Sequence, residues 1–224
     1  MMIQNIAALV PMRHQSVRVP EKNFRDLAGQ PLYAYIIQTL QKVEGISKIV
    51  VDTDSPIIKQ GLNENFPDVI VIDRPEKLRD GSIPMNEILL HDVSMIEADL
   101  YLQTHSTNPI LSSDTISKAI KIIRDHYPEY DSLFSATKTQ VRLWDELVRP
   151  INHNPNILLR TQDLPPVYAE NSCLYIFSKQ VLENMRNRIG DRPYLFEIDQ
   201  EEAWDIDNEI DFKIVDLLIR NRMK

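Results

Sequence analysis

Residues 5–23, NIAALVPMRHQSVRVPEKN, join a short apolar run to a loop that is rich in cations. The run NIAALV has the length and composition of a buried strand, and Pro11 ends it. The loop then brings together Arg13, Arg18 and Lys22, in a chain whose formal net charge is −8. Such a loop is either a solvated surface turn or a local site for an anion.

The rest of the chain alternates apolar strand-like runs with amphipathic helical segments. Predicted strands lie at residues 5–10, 48–51, 69–72, 100–103, 132–136 and 172–177. Predicted helices lie at residues 31–43, 55–65, 84–96, 113–126, 179–187 and 209–222. This alternation predicts an α/β fold with three layers, αβα, in which helices cover both faces of a mostly parallel, Rossmann-like sheet. Ligands of such sheets bind beyond the carboxyl ends of the strands, where the cationic loop lies.

The composition is that of an ordinary globular protein. With 224 residues, 43% of them hydrophobic and 26% charged, the chain suits a single domain over residues 1–224. The acidic net charge argues against broad binding to nucleic acid or membrane surfaces. The single cysteine, Cys173, excludes an internal disulfide, and no apolar stretch approaches the ~20 residues of a membrane helix. The first residues also lack the basic region of a signal peptide, so a cytoplasmic location is expected.

The regular alternation stops between residues 137 and 170. This segment is rich in Asn, Pro and Arg. A structureless stretch of this length is uncommon inside a compact domain unless it serves a function. We therefore predict that residues 137–170 form an inserted arm and a dimer interface.

The cationic loop must hold any phosphate through its side chains. Neither G-x-G-x-x-G nor G-x-x-x-x-G-K-[ST] occurs in the chain, which excludes the two common glycine-rich phosphate loops. Arginine and lysine side chains would neutralise most of a triphosphate instead. Arg74, directly after the third predicted strand, adds a cation at the same edge of the sheet.

A run of acidic residues lies near the end of the chain, at residues 196–211 (FEIDQEEAWDIDNEID). Within it, Asp205-Ile206-Asp207 alternates like a strand, so both carboxylates face the same side, ~7 Å apart. Two such carboxylates suit Mg²⁺. The alternative is that Asp207 or Asn208 caps the last helix, and the two roles are compatible.

Taken in order, these motifs resemble the sugar-acid cytidylyltransferases, in particular the acylneuraminate (CMP-sialic acid synthetase) family. That family's first loop is written P-A-R-x-x-S-K-G-x-P-x-K-N. The loop here matches it at Arg13, Ser16, Pro20, Lys22 and Asn23. Further matches are Thr53-Asp54, Arg74-Pro75, Thr107-Asn108-Pro109, the R-x-Q-x-x-P stretch from Arg160 to Pro165, and Asp205-Ile206-Asp207.

The resemblance implies a fold of the nucleotide-diphospho-sugar transferase type. It implies transfer of CMP from CTP to the anomeric hydroxyl of a nonulosonic, sialic-acid-like sugar acid, with release of pyrophosphate. Arg13 and Lys22 would be the catalytic residues, which hold and neutralise the triphosphate. Ser16, Asn23 and Arg74 would complete the nucleotide-binding site.

The resemblance also implies a cofactor and a partner. Asp205 and Asp207 would bind Mg²⁺. The arm at residues 137–170 would pack against a second copy of the chain in a homodimer, and Arg160 and Gln162 would reach the sugar-binding site.

The loop departs from the sialate pattern at one place. Val17-Arg18 stands where that branch has Lys-Gly, and the resulting S-x-R-x-P is similar to the 3-deoxy-manno-octulosonate cytidylyltransferases. Asn23 after Lys22 agrees with the sialate branch instead. Three alternatives therefore stay open: the octulosonate enzyme, a glycosyltransferase-like domain, and a non-catalytic nucleotide-binding protein.

Overall fold

The structure, a computed structural model, describes residues 3–222, so the first two and last two residues of the expected single domain lie outside it. Within this range there are nine strands and six α-helices. The strands are β1 Ile6–Leu9, β2 Asp26–Leu27, β3 Gln30–Pro31, β4 Ile46–Thr53, β5 Ile70–Asp73, β6 Leu100–Thr104, β7 Ser132–Thr139, β8 Val167–Phe177 and β9 Pro193–Glu197. The helices are α1 Leu32–Gln41, α2 Pro56–Asn65, α3 Met85–Met95, α4 Ser113–His126, α5 Lys179–Met185 and α6 Glu209–Arg222.

Seven of these strands form one mixed sheet in the order β5-β4-β1-β6-β8-β7-β9. The pairs β5/β4, β4/β1, β1/β6 and β7/β9 are parallel, and β8 runs antiparallel to both of its neighbours. The strands β2 and β3 form a separate small hairpin. The predicted α/β fold with a mostly parallel sheet is therefore confirmed, and β8 is the one reversed strand in the described sheet.

The central strand β1 shows why the sheet has helices on both faces. All four of its residues are buried. Ile6 and Ala8 pack into a core that also contains side chains of α1 and α4, whereas Ala7 and Leu9 pack into a second core that includes α3 and α5. Because successive side chains of a strand point to opposite faces, a continuous apolar run indicates a strand covered on both sides.

Local capping explains several helix boundaries. The Ser55 hydroxyl accepts a hydrogen bond from the backbone N–H of Ile58 at 3.3 Å, which starts α2 as the Ser55-Pro56 pair predicts. The Ser112 hydroxyl does the same for α4. Both α4 and α6 have the bounds predicted from the sequence.

The predicted bounds are wrong around the arm. The strand β7 continues to Thr139 rather than ending at residue 136, and β8 begins at Val167 rather than 172, because the two extensions pair with each other. The irregular part of the arm is therefore residues 140–166, which contain a short 3-10 helix, Thr161–Asp163. The strand β9 was not predicted. None of the helices within residues 3–222 combines the length and apolar character needed to cross a membrane.

Candidate active site

A cleft of about 490 Å³ opens beyond the carboxyl ends of β1, β5 and β6. It lies at the edge where sheets of this type bind ligands. Seven of the residues predicted to form the site line it, namely Arg13, Ser16, Lys22, Asn23, Arg74, Asp205 and Asp207. The fold thus brings the cationic loop and the acidic Asp-Ile-Asp motif into one cleft.

The cationic loop is anchored to the end of β4. The backbone N–H of Met12 donates to the Asp52 carbonyl at 2.9 Å, and the backbone N–H of His14 donates to the Asp54 carboxylate at 2.7 Å. The His14 ring lies 2.9 Å from the Ser55 hydroxyl and stacks on Phe24. These contacts fix the start of the loop, so that the exposed Arg13 side chain projects from a defined backbone.

Asn23 ties the loop to itself and to the neighbouring strand. Its amide nitrogen donates to the Arg13 carbonyl at 2.7 Å, and its amide oxygen accepts from the Ser106 hydroxyl at 2.8 Å. The side chain is buried at 8% exposure. Both polar atoms of Asn23 are therefore used inside the protein, which makes it a positioning residue for Arg13.

The Asp-Ile-Asp motif has the alternation predicted for it. Ile206 is fully buried, and its backbone N–H donates to the Thr107 carbonyl at 2.9 Å, whereas Asp205 and Asp207 both line the cleft. The cap of α6 is Asn208, whose side chain accepts from the backbone N–H of Asp211 at 3.1 Å. The carboxylates of the motif are thus free of the capping role.

Cations and carboxylates are closely coupled in the cleft. The Lys22 ammonium donates to the Ile206 carbonyl at 2.6 Å, and Arg18 forms an ion pair with Asp207 at 2.6 Å. Burial lowers the pKa of Lys22, against the opposing pull of Asp205 and Asp207. Burial, with the Asp207 charge, raises the pKa of Asp205. One Asp205 oxygen, Oδ1, is buried and has no hydrogen-bond partner within residues 3–222.

Arg74 lines the cleft, but its guanidinium is directed into the protein. It is 1% exposed, its Nε donates to the Asp52 carboxylate and its Nη2 donates to the Asp52 carbonyl at 3.2 Å. The Asp92 carboxyl lies beside this pair, and burial together with the Asp52 charge raises the pKa of Asp92 to about 9. A hydrogen bond from the protonated Asp92 to Asp52 contributes to this rise, and the Oδ2 atoms of both side chains have no other hydrogen-bond partner within residues 3–222. The cluster Asp52–Arg74–Asp92 therefore forms a buried clamp, and the contact of Arg74 with cytidine stays a prediction.

Two cleft residues carry chemistry that was not predicted from the sequence. Arg188, in the loop after α5, places its guanidinium carbon 3.6 Å above the Tyr175 ring and donates to Gln103. His105 lies 2.9 Å from the Gln103 amide nitrogen. Burial, followed by the charges of Arg188 and Lys22, lowers the pKa of His105 to about 3. His105 is thus a neutral polar group and a poor general base at neutral pH.

The two predicted sugar-binding residues lie outside this cleft. Arg160 pairs with Asp163 in the arm at 2.6 Å, and its side chain is 74% exposed. Gln162 is exposed, and its backbone carbonyl accepts from Gln140 at 2.9 Å. The structure of one chain therefore does not bring Arg160 and Gln162 together with the loop and the Asp-Ile-Asp motif.

The comparisons with known proteins identify the class. A family model described as Cytidylyltransferase matches residues 7–222, so the chain belongs to the cytidylyltransferase family. The chain is 27% identical to the N-acylneuraminate cytidylyltransferase A of Danio rerio over 221 residues, which are 95% of this chain and 50% of the relative. It is 28% identical to the CMP-N,N'-diacetyllegionaminic acid synthase of Legionella pneumophila over 96% of both chains.

A solved structure agrees with this assignment at the level of the fold. The CMP:2-keto-3-deoxy-manno-octonic acid synthetase complexed with CTP superposes with a TM-score of 0.74 at 16% identity, covering 97% of this chain and 99% of that one. The resemblance to the acylneuraminate cytidylyltransferase family drawn from the motifs is confirmed. The chain spans about half the length of the first curated relatives it matches.

Proposed function

We propose that this protein is a CTP-dependent cytidylyltransferase that transfers CMP to the anomeric hydroxyl of a nonulosonic acid and releases pyrophosphate. The observation that carries the proposal is the meeting of Arg13 and Lys22 with Asp205 and Asp207 in one cleft at the carboxyl end of the sheet. Membership of the cytidylyltransferase family supports the reaction type, and the sialate and legionaminate relatives support the acceptor class.

The chemistry demands charge neutralisation and alignment more than covalent catalysis. The acceptor oxygen forms a bond to the α-phosphorus, the bond to the bridging oxygen breaks, pyrophosphate leaves, and the hydroxyl proton passes to water. Arg13 and Lys22 neutralise the charge that develops on the triphosphate. Ser16 lies in the same cleft and would be a further nucleotide contact, Arg74 lines the cleft with its guanidinium held by Asp52, and Asn23 holds Arg13 in place.

Asp205 and Asp207 fit a Mg²⁺ ion. Asp205 offers a buried oxygen without a partner in the described chain, and Asp207 is paired only through an exposed arginine. Carboxylate oxygens are the ligands that Mg²⁺ takes in proteins, often together with substrate phosphates. When bound, the ion would supply further neutralisation of the triphosphate charge. When no Mg²⁺ is bound, Arg18 is the cation that balances the charge of Asp207.

We further propose a homodimer formed through the arm. The irregular segment 140–166 exposes several large apolar side chains, with Leu147 at 65%, Val148 at 74%, Ile151 at 62% and Leu158 at 90% exposure. An apolar surface of this kind is characteristic of an interface. In a dimer, Arg160 and Gln162 would reach the partner's sugar-binding site, whereas in their own chain they lie outside the cleft lining.

The octulosonate reaction is the second candidate. The loop carries Arg18 in the S-x-R-x-P pattern of that branch. Both candidates are tested by incubating the protein with CTP, Mg²⁺ and a panel of sialic, legionaminic, pseudaminic and 3-deoxy-manno-octulosonic acids. Pyrophosphate release that requires a nine-carbon acid supports the first candidate, and release with only the eight-carbon acid supports the second. Folded protein that releases none with any acid contradicts both.

A further inference from the structure

Arg188 is a cation of the cleft that has no carboxylate partner among the described residues. Within residues 3–222 no acidic oxygen lies within 4.0 Å of its side-chain nitrogens. Its contacts are the Tyr175 ring, 3.6 Å below the guanidinium carbon, and the Gln103 amide oxygen, to which Nη1 donates. The nearby Glu170 carboxylate accepts from the Tyr175 hydroxyl instead. A partly buried guanidinium that lacks an ion pair is an anion-binding group.

The surroundings of Arg188 are prepared for a small anionic ligand. Because Arg188 donates to Gln103 Oε1, the Gln103 amide nitrogen faces His105 Nε2 at 2.9 Å and the Thr104 carbonyl at 3.1 Å. The neutral His105 therefore accepts at Nε2 and carries its proton on Nδ1. His105 and Ser172 line the same cleft. The chain Arg188–Gln103–His105 thus consists of neutral and cationic groups, and the nearby Glu170 carboxylate is engaged by the Tyr175 hydroxyl.

Arg188 is distinct from the predicted triphosphate contacts. It extends from the loop after α5 over Tyr175 of β8, whereas Arg13 and Lys22 belong to the loop after β1. His105 lines the same cleft as Lys22 and Arg188. The cleft therefore holds a cation, Arg188, in addition to those of the loop after β1. A sugar acid brings a carboxylate in addition to the nucleotide phosphates.

We propose that Arg188 binds the carboxylate of the acceptor sugar acid within the cleft of its own chain. The assignment rests on the proposed function. It separates the roles of the cations, since Arg13 and Lys22 act on the triphosphate and Arg188 selects acids over neutral sugars. It also gives each chain its own carboxylate contact, independent of Arg160 in the arm.

The test compares Arg188→Met and Arg188→Lys with the control Arg186→Met. Arg186 is an exposed arginine two residues away whose ion pair with Glu87 lies outside the cleft lining. We expect Arg188→Met to raise the acceptor KM about 10- to 100-fold, the range of a charge-assisted hydrogen bond, while calorimetry finds CTP affinity within about twofold of wild type. Arg188→Lys should restore part of the loss, and the control should change neither quantity.

The second part of the experiment uses a neutral form of the acceptor. The methyl ester of the acid should bind wild type as weakly as the acid binds Arg188→Met, and the variant should not distinguish ester from acid. An unchanged acceptor KM in Arg188→Met, or a loss confined to CTP affinity, overturns the assignment and leaves the proposed function intact. Wild-type protein that turns over no sugar acid contradicts the proposed function and this assignment together.

Discussion

The Lys22 side chain is partly buried, and its ammonium group makes a hydrogen bond to the backbone. Its ammonium donates a 2.6 Å hydrogen bond to the carbonyl of Ile206, the middle residue of the Asp-Ile-Asp motif. Burial lowers its pKa, and the neighbouring Asp205 and Asp207 oppose this effect. In the proposed reaction this cation would contact the triphosphate.

Replacing Lys22 with Met should reduce turnover about 10²- to 10³-fold, because one preorganised group that stabilises transition-state charge is lost. The free energy of unfolding should change little, since the substitution also removes the cost of burying the cation. Turnover is measured by pyrophosphate release and stability by urea unfolding. The matched control is Lys48→Met, at an exposed position on β4 outside the cleft. Equal turnover in the two variants would rule out this role for Lys22.

Arg18, the cation that departs from the sialate pattern, has an identified partner in Asp207. Removing Arg18 should increase the affinity of the free protein for Mg²⁺, because Asp207 loses a competing cation. Exposed ion pairs contribute about 0–1 kcal/mol, so the gain is at most about fivefold. Titration of Arg18→Met with Mg²⁺ or Mn²⁺ in the absence of nucleotide measures it. A weaker affinity than wild type would show that Arg18 helps, rather than competes with, metal binding.

Asp92 makes the stability of the buried clamp depend on pH. Its pKa is raised in the folded state, so between about pH 4 and pH 9 the folded chain holds a proton that the unfolded chain has released. The contribution of Asp92 is full below the unfolded pKa and is lost as pH rises through this window. In Asp92→Asn the side chain is neutral at every pH and still donates to Asp52.

The stability of Asp92→Asn relative to wild type should therefore increase with pH, by roughly 1 kcal/mol per pH unit between pH 5 and pH 8. Urea unfolding of both proteins at matched pH values measures the difference, in which the contributions of all groups common to both proteins largely cancel. Parallel pH profiles would contradict a protonated Asp92.

Among the secondary-structure elements, the extensions of β7 and β8 show where the local sequence is insufficient to predict a strand. The apolar run of β1 and the periodic, capped helix α4 carry their structure in their own residues, and both were predicted. The segment 167–171, VYAEN, mixes apolar and polar residues without a clear alternation, and its strand pairing is with β7, about thirty residues earlier in the chain. The strand β9 begins with Pro193 and lies at the edge of the sheet, which removes the usual strand signal.

The residues of the site also differ in whether the local sequence predicts them. Arg13, Lys22, Asp205 and Asp207 belong to short motifs with a recognisable spacing, so the sequence predicts them. Arg188 lies in an irregular loop, and its place in the cleft depends on contacts with Tyr175 and Gln103, the latter 85 residues distant. No local pattern specifies such a contact. The sequence does not predict the buried clamp for the same reason, because Asp52 and Asp92 come together only when α3 packs on the sheet.

Shortening the arm tests whether it forms the dimer interface. Thr139 and Val167 are directly paired, so an Asn-Gly turn in place of residues 140–166 keeps the ladder between β7 and β8. We expect wild type to sediment as a dimer at micromolar concentration and the shortened chain to sediment as a monomer that still binds CTP. Leu158→Asp should also weaken the dimer, and Leu217→Asp, at an exposed site on α6, should not. A monomeric wild type would contradict the arm as an interface.

At the scale of the whole molecule, the seven-stranded sheet gathers residues from both ends of the chain. The loop after β1 and the segment before α6 are separated by about the full length of the sequence, yet Arg18 and Lys22 contact Asp207 and Ile206 directly. The acidic net charge is compatible with an anionic ligand because the cleft has cations of its own, namely Arg13, Arg18, Lys22, Arg74 and Arg188. The proposed function therefore requires the cleft to act as a single nucleotidyl-transfer site.

The most direct test measures both products of that transfer. Wild type and the double variant Asp205→Asn/Asp207→Asn are incubated with CTP, Mg²⁺ and each acid of the panel, and the CMP-sugar and pyrophosphate are quantified together. We predict equal amounts of the two products from wild type with at least one nonulosonic acid, and at most about a hundredth of that rate from the double variant. Wild-type protein that forms no CMP-sugar, or that converts CTP only to CDP and phosphate, would contradict the proposed function.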